Sequence, residues 1–246
     1  FYCVSESQAA KLKRVVKERS VVIFVCSGGL GEYVERRYGV RPVMAVGAVD
    51  CAVFKPREMK NTSEVTTILA YGRLNKRGKG TALVVRACES LYRKGYKIRL
   101  LLFDTPTDPN ARQLVADFKC GVPFEFVIDH PVMENYKLFQ RADIYVGAER
   151  KAGWSNTCAE AMAAGLAVVA TKHGTADILE HNITGLIVRR HWWFVMRGLK
   201  KLLDSPALRL RLAENGFERI QRFTWTRLAD DILMAIDGHI GRAAQK

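Results

Sequence analysis

Long apolar runs are missing from this 246-residue sequence. None reaches the ~18 residues that a membrane-spanning helix requires, so no such helix is available. Close cysteine pairs are missing too: Cys3, Cys26, Cys51, Cys88, Cys120 and Cys158 are scattered and none forms C-x-x-C. That spacing fits neither a zinc site nor a disulfide framework, and a reducing, cytoplasmic setting is expected. No Asp-x-Asp occurs and the five histidines lack metal-like pairing, so no bound metal is expected. A G-x-x-x-x-G-K-[ST] phosphate loop is likewise missing, and no repeat of 20–50 residues is visible. The first residues, Phe1-Tyr2-Cys3, include no Met and no zones of a secretory leader; the expectation is a piece of a longer chain.

What is present is globular composition, 48% hydrophobic and 26% charged, which excludes wholesale disorder. The length suits one large or two small domains. Thirty-nine Lys and Arg against 25 Asp and Glu give a formal charge of +14. That balance attracts polyanions or anionic membrane surfaces, but it equally describes a solvated basic surface, and nucleic acid is not an expected partner.

Apolar and β-branched runs alternate with helical patterns along the chain. A helix near Ala9–Lys17 precedes strand Val21–Cys26, helix Leu30–Tyr38 and strand Val43–Val46. The polar stretch Arg57–Glu64 reads as a hinge. Beyond it come strand Thr67–Tyr71, helix Thr81–Arg93, strand Ile98–Phe103, helix Asn110–Lys119 and strand Phe124–Ile128. Helix Met133–Gln140, strand Ile144–Val146, helix Thr157–Ala164 and strand Ala167–Ala170 follow. A short helix near Ala176–Leu179, strand Leu186–Val188 and helices from Trp192 to about Ile236 complete the pattern. Continuous apolar strands alternating with helices predict an α/β fold, a parallel sheet covered on both faces. Ligands of such sheets collect beyond the carboxyl ends of the strands.

Three segments there carry chemistry. In Tyr71-Gly72-Arg73-Leu74-Asn75-Lys76-Arg77-Gly78-Lys79-Gly80, glycines permit close backbone approach and the cations can neutralise a diphosphate. Alone, it equally describes an ordinary basic loop. In Gly153–Gly165, Ser155, Asn156 and Thr157 form a helix N-terminus suited to an anion. Glu160, one turn later, could accept from vicinal hydroxyls or simply be an exposed helix carboxylate. The third segment, Thr171–Asp177, is another glycine loop able to face the same crevice, and Asn182–Val188 reads as a turn into an edge strand.

In this order and spacing the segments resemble the donor half of retaining glycosyltransferases of the GT-B fold, the large family 4. Its pattern is a strand ending G-R-L, a following K-G, then E-G-F-G-L-x-x-x-E-A-M-A-x-G-x-P-V-V-A-T, G-G and T-G-x-L-V. The matching pieces are Gly72-Arg73-Leu74, Lys79-Gly80, Gly153-Trp154 through Gly165, Val168–Thr171, Gly174 and Thr184–Val188. Val46–Asp50 with Phe54-Lys55-Pro56 is similar to that family's interdomain segment, and Leu202–Pro206 with Arg222–Trp225 to its terminal helices.

The resemblance implies a Rossmann-like donor domain over 65–246, a hinge at 57–64 and, over 1–56, the last part of an acceptor-side half. It implies transfer of a sugar with retention from a nucleotide-diphosphate sugar, UDP- or GDP-linked, to a glycan, lipid-linked or protein acceptor, with no cofactor required. Arg73 and Lys79 would hold the diphosphate, Glu160 the ribose hydroxyls, and Gly72 and Ser155–Thr157 the phosphates. Asp129 and His130 stand where the base-contacting loop begins. The sequence departs at Ala152, where the family has an acid eight positions before its Glu160 counterpart. Glu149 becomes its substitute if the loop bends; a degenerate or engineered site is the alternative. Lys79 lies one residue later than the usual spacing, which makes Lys76 a competing phosphate ligand. Other readings are a non-catalytic nucleotide-binding module, a GT-B epimerase or phosphorylase, and charge-driven nucleic-acid binding.

His191-Trp192-Trp193-Phe194 reads first as a staple to the core and second as a membrane-facing patch. Two sets of cations could meet an anionic leaflet: Lys11, Lys13, Arg14, Lys17 and Arg19, and Arg189, Arg190, Arg197, Lys200 and Lys201.

Overall fold

The structure, a computed structural model, describes residues 6–18, 21–57 and 64–243. Two compact units divide it: residues 1–48 with 223–246, and residues 49–222. The expected hinge at 57–64 falls inside the second unit, and residues 58–63 of it lie outside the described residues. The segment before that hinge is built into the second unit by packing: Phe54 meets Phe139 edge-on at 5.5 Å, and Pro56 lies against Gly165.

The smaller unit holds α1 (Glu6–Glu18), β1 (Phe24–Val25), α2 (Gly28–Tyr38), β2 (Val43–Met44) and a terminal helix, Trp225–Ala243. Ser27 caps α2 by accepting from the Leu30 amide at 3.3 Å. Gly39 ends it in the left-handed conformation, φ +63°, a position where a side chain would be strained. Val25, Val34 and Tyr38 form its core. The strands β1 and β2 are parallel and only two residues each, shorter than their apolar runs predicted.

The larger unit is a six-stranded parallel sheet. Its elements are β3 (Thr66–Tyr71), α3 (Thr81–Tyr92), β4 (Ile98–Asp104), α4 (Pro109–Ala116), β5 (Phe124–Ile128), α5 (Tyr136–Gln140) and β6 (Ile144–Gly147). They continue with α6 (Asn156–Ala163), β7 (Ala167–Ala170), β8 (Leu186–Ile187), α7 (Trp192–Asp204) and α8 (Pro206–Ile220); the terminal helix of the smaller unit is α9. Spatial order is β5-β4-β3-β6-β7-β8, every pairing parallel. The chain winds outward from β3 in one direction and from β6 in the other, so the topological switch point lies between them.

Both faces are apolar, as a doubly covered parallel sheet requires. Ile68, Ala70, Leu100, Leu102, Ile144, Val146 and Val169 pack with Val84, Ala87, Cys88 and Leu91 of α3 and Val195, Leu199 and Leu202 of α7. Alternate residues turn to the other face, where Phe139 of α5 stacks on Tyr145 at 6.0 Å and meets Phe103 at 5.8 Å. Truncating a core leucine such as Leu102 to alanine is worth roughly 2–5 kcal/mol.

Two predicted helices are corrected. Met133–Gln140 divides into a 3₁₀ turn, Val132–Glu134, and α5. No helix forms at Ala176–Leu179: Ile178 and Leu179 amides both turn to the Thr175 carbonyl, and the Thr184 hydroxyl then bonds the Ile178 carbonyl and the Glu180 amide. That side chain takes the place of the next helical turn.

Candidate functional site

Beyond the carboxyl ends of β3, β4, β5 and β6 lies a cleft of about 390 Å³, lined by residues that include Tyr71, Lys79, Asp104, His130, Glu149 and Glu160. It sits over the switch point between β3 and β6.

The β3–α3 loop is held shut by Thr81, whose hydroxyl donates to the carbonyls of Tyr71 at 3.1 Å and Arg73 at 3.3 Å. Gly80, at φ +81°, lies so close to the chain after β6 that a Cβ would stand 2.3 Å from the Ala148 carbonyl oxygen. Only glycine fits. Gly72 packs closely: a Cβ there would meet the Phe126 ring at 2.6 Å.

Arg73 is tied to the buried Asp104, Nε and Nη2 donating to Oδ1 at 3.1 and 3.0 Å. The Thr105 amide donates to the same oxygen at 2.8 Å. Hydrogen bonding to Asp104 raises the Arg73 pKa further, so its charge is permanent. Burial, with Asp104 nearby, pushes the Tyr71 phenol up to about 12. Its ring lies under both cations, 5.1 Å from Arg73 and 5.6 Å from Lys79.

Lys79 reaches the cleft and pairs with Glu149, whose side chain is 13% exposed. The Glu149 carbonyl accepts from Thr171 Oγ1 at 2.6 Å, and the Arg150 amide donates to the Gly78 carbonyl at 2.8 Å. The loops after β3 and β6 are therefore one assembly. Lys76 is exposed and does not line the cleft. Of the two competing lysines, the structure places Lys79 there.

Ser155 stands at the N-cap position of α6 without a side-chain capping bond, and Asn156 and Thr157 open the helix toward the cleft. The Ser155 amide donates to the Gly174 carbonyl at 2.9 Å, and Tyr145 Oη donates to Thr157 Oγ1 at 2.6 Å. Glu160 lines the cleft one turn further on. It has no side-chain hydrogen bond among the described residues, and burial alone pushes its carboxyl up to about 7. The neighbouring Cys158 thiol is buried and pushed to about 12, which makes it inert.

His130 lines the cleft, whereas Asp129 is held away by a bidentate pair with Arg112 at 2.6 and 3.2 Å. Asp129 also takes a positive φ of 54°. Ala152 is half-buried against Gly174, where an added Cβ would lie 2.7 Å from its own. Asp104, Asn135 and Trp154 are cleft or cleft-anchoring residues that the sequence reading did not single out. The one available signal for Asp104 was its position at the end of a strand. Among the described residues no group of three metal-capable side chains converges.

A parallel sheet with helices on both faces and a polar cleft at its switch point defines a Rossmann-like α/β unit, as in the GT-B fold. Residues 54–219 match the glycosyl transferases group 1 family, and the chain belongs to it. A curated relative, D-inositol 3-phosphate glycosyltransferase of Pseudarthrobacter chlorophenolicus, is 28% identical over 220 residues, 80% of this chain and 51% of that protein. The chain spans about half or less of the length of the curated relatives it matches. Among solved structures, a glycosyltransferase from Rickettsia africae superposes with a TM-score of 0.81 at 18% identity, covering 98% of this chain and 69% of that one. Anabaena HepE in complex with UDP-glucose gives 0.77 at 14%, covering 96% and 68%.

Proposed function

We propose that the chain is the nucleotide-sugar-binding part of a glycosyltransferase that transfers a sugar with retention to a glycan, lipid-linked or protein acceptor. The observation that carries this reading is the convergence of Lys79, Glu149, the start of α6 and Glu160 on one cleft over the switch point. The UDP-glucose held by a structural neighbour supports a nucleoside diphosphate as the donor's leaving group.

In this reading Lys79 exchanges its Glu149 partner for donor phosphate, and the amides opening α6 add fixed partial positive charge. Arg73, anchored by Asp104, supplies a second charge that cannot titrate. When the bond from anomeric carbon to phosphate breaks, the electron pair leaves with the diphosphate, and these groups stabilise the growing charge. Glu160, once ionised, accepts from the ribose hydroxyls. Glu149, released from Lys79, is the carboxylate nearest the role that Ala152 cannot fill. The domain roles follow: residues 65–246 bind the donor, and residues 1–56 are the last part of an acceptor-side half. Among the described residues Cys26, Cys51, Cys88, Cys120 and Cys158 are free thiols, which supports a reading of the compartment as reducing, such as the cytoplasm.

Calorimetry of the chain against UDP, GDP and ADP tests the reading. One diphosphate should bind in the micromolar range and its monophosphate at least tenfold more weakly. No heat at millimolar nucleotide overturns it. Ala152 favours a second reading, a module that binds nucleotide without turnover. Release of free sugar or transfer from the preferred donor would remove that one.

A further inference from the structure

From Leu186 to Leu203 the sequence holds Arg189, Arg190, Arg197, Lys200 and Lys201, four aromatic side chains counting His191, and no Asp or Glu. The fold sorts this stretch into two faces. Val195, Met196, Leu199 and Leu202 are buried in the core, and Trp192 packs against it with the Arg86 guanidinium 4.4 Å from its ring. Trp193, Arg197 and Lys201, spaced i, i+4 and i+8, form the exposed stripe of α7. The tetrapeptide at 191–194 thus divides, Trp192 serving the core and Trp193 standing 38% exposed.

Two of the cations are already committed. Lys200 pairs with Asp204 at 2.5 Å, and Arg190 turns inward to the carbonyls of Ala148 at 2.9 Å and Arg77 at 2.6 Å. Arg189, Arg197 and Lys201 have no carboxylate partner among the described residues. They rim a small cleft of about 240 Å³ whose floor is Leu186, Val188 and Phe194. Arg189 lies 5.4 Å from the Phe194 ring and Arg197 4.7 Å from that of Trp193.

We propose that this outer face of α7, with the adjoining cleft, docks the protein on an anionic lipid bilayer. Three uncompensated cations supply attraction to acidic headgroups. Trp193 supplies an amphipathic ring at headgroup depth, and the apolar floor accepts glycerol or acyl carbons between the cations. α7 does not insert, because its apolar side is used by the core; the contact is a surface one. A single-stranded nucleic acid would need an open ring to stack on. Trp193 instead has Arg197 over its ring and the Phe194 edge against it at 5.0 Å. The other basic stretch, on α1, presents Lys11, Lys13 and Arg14 but no exposed aromatic beside them among the described residues. Arg19 and the side chain of Lys17 lie outside the described residues.

Cosedimentation of the full chain with vesicles of phosphatidylglycerol and phosphatidylcholine, against phosphatidylcholine alone, tests the proposal. The expected result is binding to the anionic vesicles only, abolished by molar salt. The triple change R189Q/R197Q/K201Q should weaken it roughly a hundredfold, and Trp193→Ala several-fold. Both variants should titrate with UDP or GDP as the parent does, showing that they fold and separating this proposal from the donor reading. Equal binding to both vesicle types, none to either at low salt, or parental vesicle binding by the triple variant overturns the proposal. So does loss of single-stranded RNA binding by the triple variant while its vesicle binding is retained.

Discussion

The two ends of the six-stranded sheet each carry a cavity of similar size, and they are chemically unlike. The cleft beyond the carboxyl ends is about 390 Å³ and polar. One cavity at the amino ends is about 420 Å³ and is floored by Phe139, Ala164, Leu210 and Phe217, and a second of about 740 Å³ opens at Val65, Thr67 and Ile98. The one deep carboxylate of the first, Asp143, is fully occupied: Arg57 donates at 2.6 Å and the Thr67 amide at 2.8 Å. At the other end Glu160 has no such partner and its pKa stands near 7. Volume therefore does not separate the two similar cavities; the unsatisfied carboxyl of Glu160 does, and it is what favours the proposed donor site. The cause is topological, because beyond the strand ends at the switch point backbone and charge face a crevice.

The largest effect expected from breaking this contrast is at Lys79. Lys79→Ala removes a phosphate partner and strands Glu149, which should cost about 3 kcal/mol of nucleoside-diphosphate affinity. Monophosphate affinity should change less, and calorimetry with both ligands reads the difference.

Glu160→Gln comes next, at about 2 kcal/mol of nucleotide affinity above neutral pH. Only the ionised carboxylate accepts from both ribose hydroxyls, so parental affinity should rise between pH 6 and 8, and the variant should be flat. Stability runs the opposite way. A carboxyl raised to about 7 by burial contributes most below its unfolded pKa, and that contribution is lost as pH rises through 7. The loss is on the order of 2–3 kcal/mol, so thermal melts at pH 8 should find Glu160→Gln more stable than the parent. Melts in which the two proteins fall together across this range would refute the assignment.

At the other end, Asp143→Asn should lower stability by about 1.5 kcal/mol through loss of the Arg57 pair and leave nucleotide titrations unchanged. Smallest is Leu210→Ala, on a residue 42% exposed, worth about 0.5 kcal/mol in a melt and nothing in binding. A nucleotide effect from either change would mean that the two ends are coupled.

The alternation of apolar strands and helices was legible because the inner strands are buried on both faces, as Thr66–Tyr71 and Ala167–Ala170 show, and the half-exposed edge strand Phe124–Ile128 also falls where its run predicted. Lys79, Glu160 and the start of α6 were legible as local signals in segments that follow strands, whereas Glu149 was reached only through the family resemblance, as a substitute at the Ala152 departure. Their convergence, and the choice of Lys79 over Lys76, was not legible: a lysine's reach depends on which way the 77–79 turn winds, and Gly80 against Ala148 sets that. Asp104 had only its position at the end of a strand as a signal, which does not name a partner; the pairing of β3 with β4 puts it under Arg73. Asp129 fell the other way, since Arg112 of α4 captures it from 17 residues away.

The sequence by itself thus determined the sheet, its doubly covered core and the strand ends on which chemistry collects, because those follow from burial patterns read within a few residues. Only the tertiary structure decided which charges cancel and which stay available. Arg73 with Asp104, Lys79 with Glu149 and Arg190 with the Ala148 carbonyl are partners 31, 70 and 42 residues apart. Among the described residues Glu160, Arg189, Arg197 and Lys201 receive no such partner, and an ion's energy depends on the distance to its neighbour in space rather than along the chain.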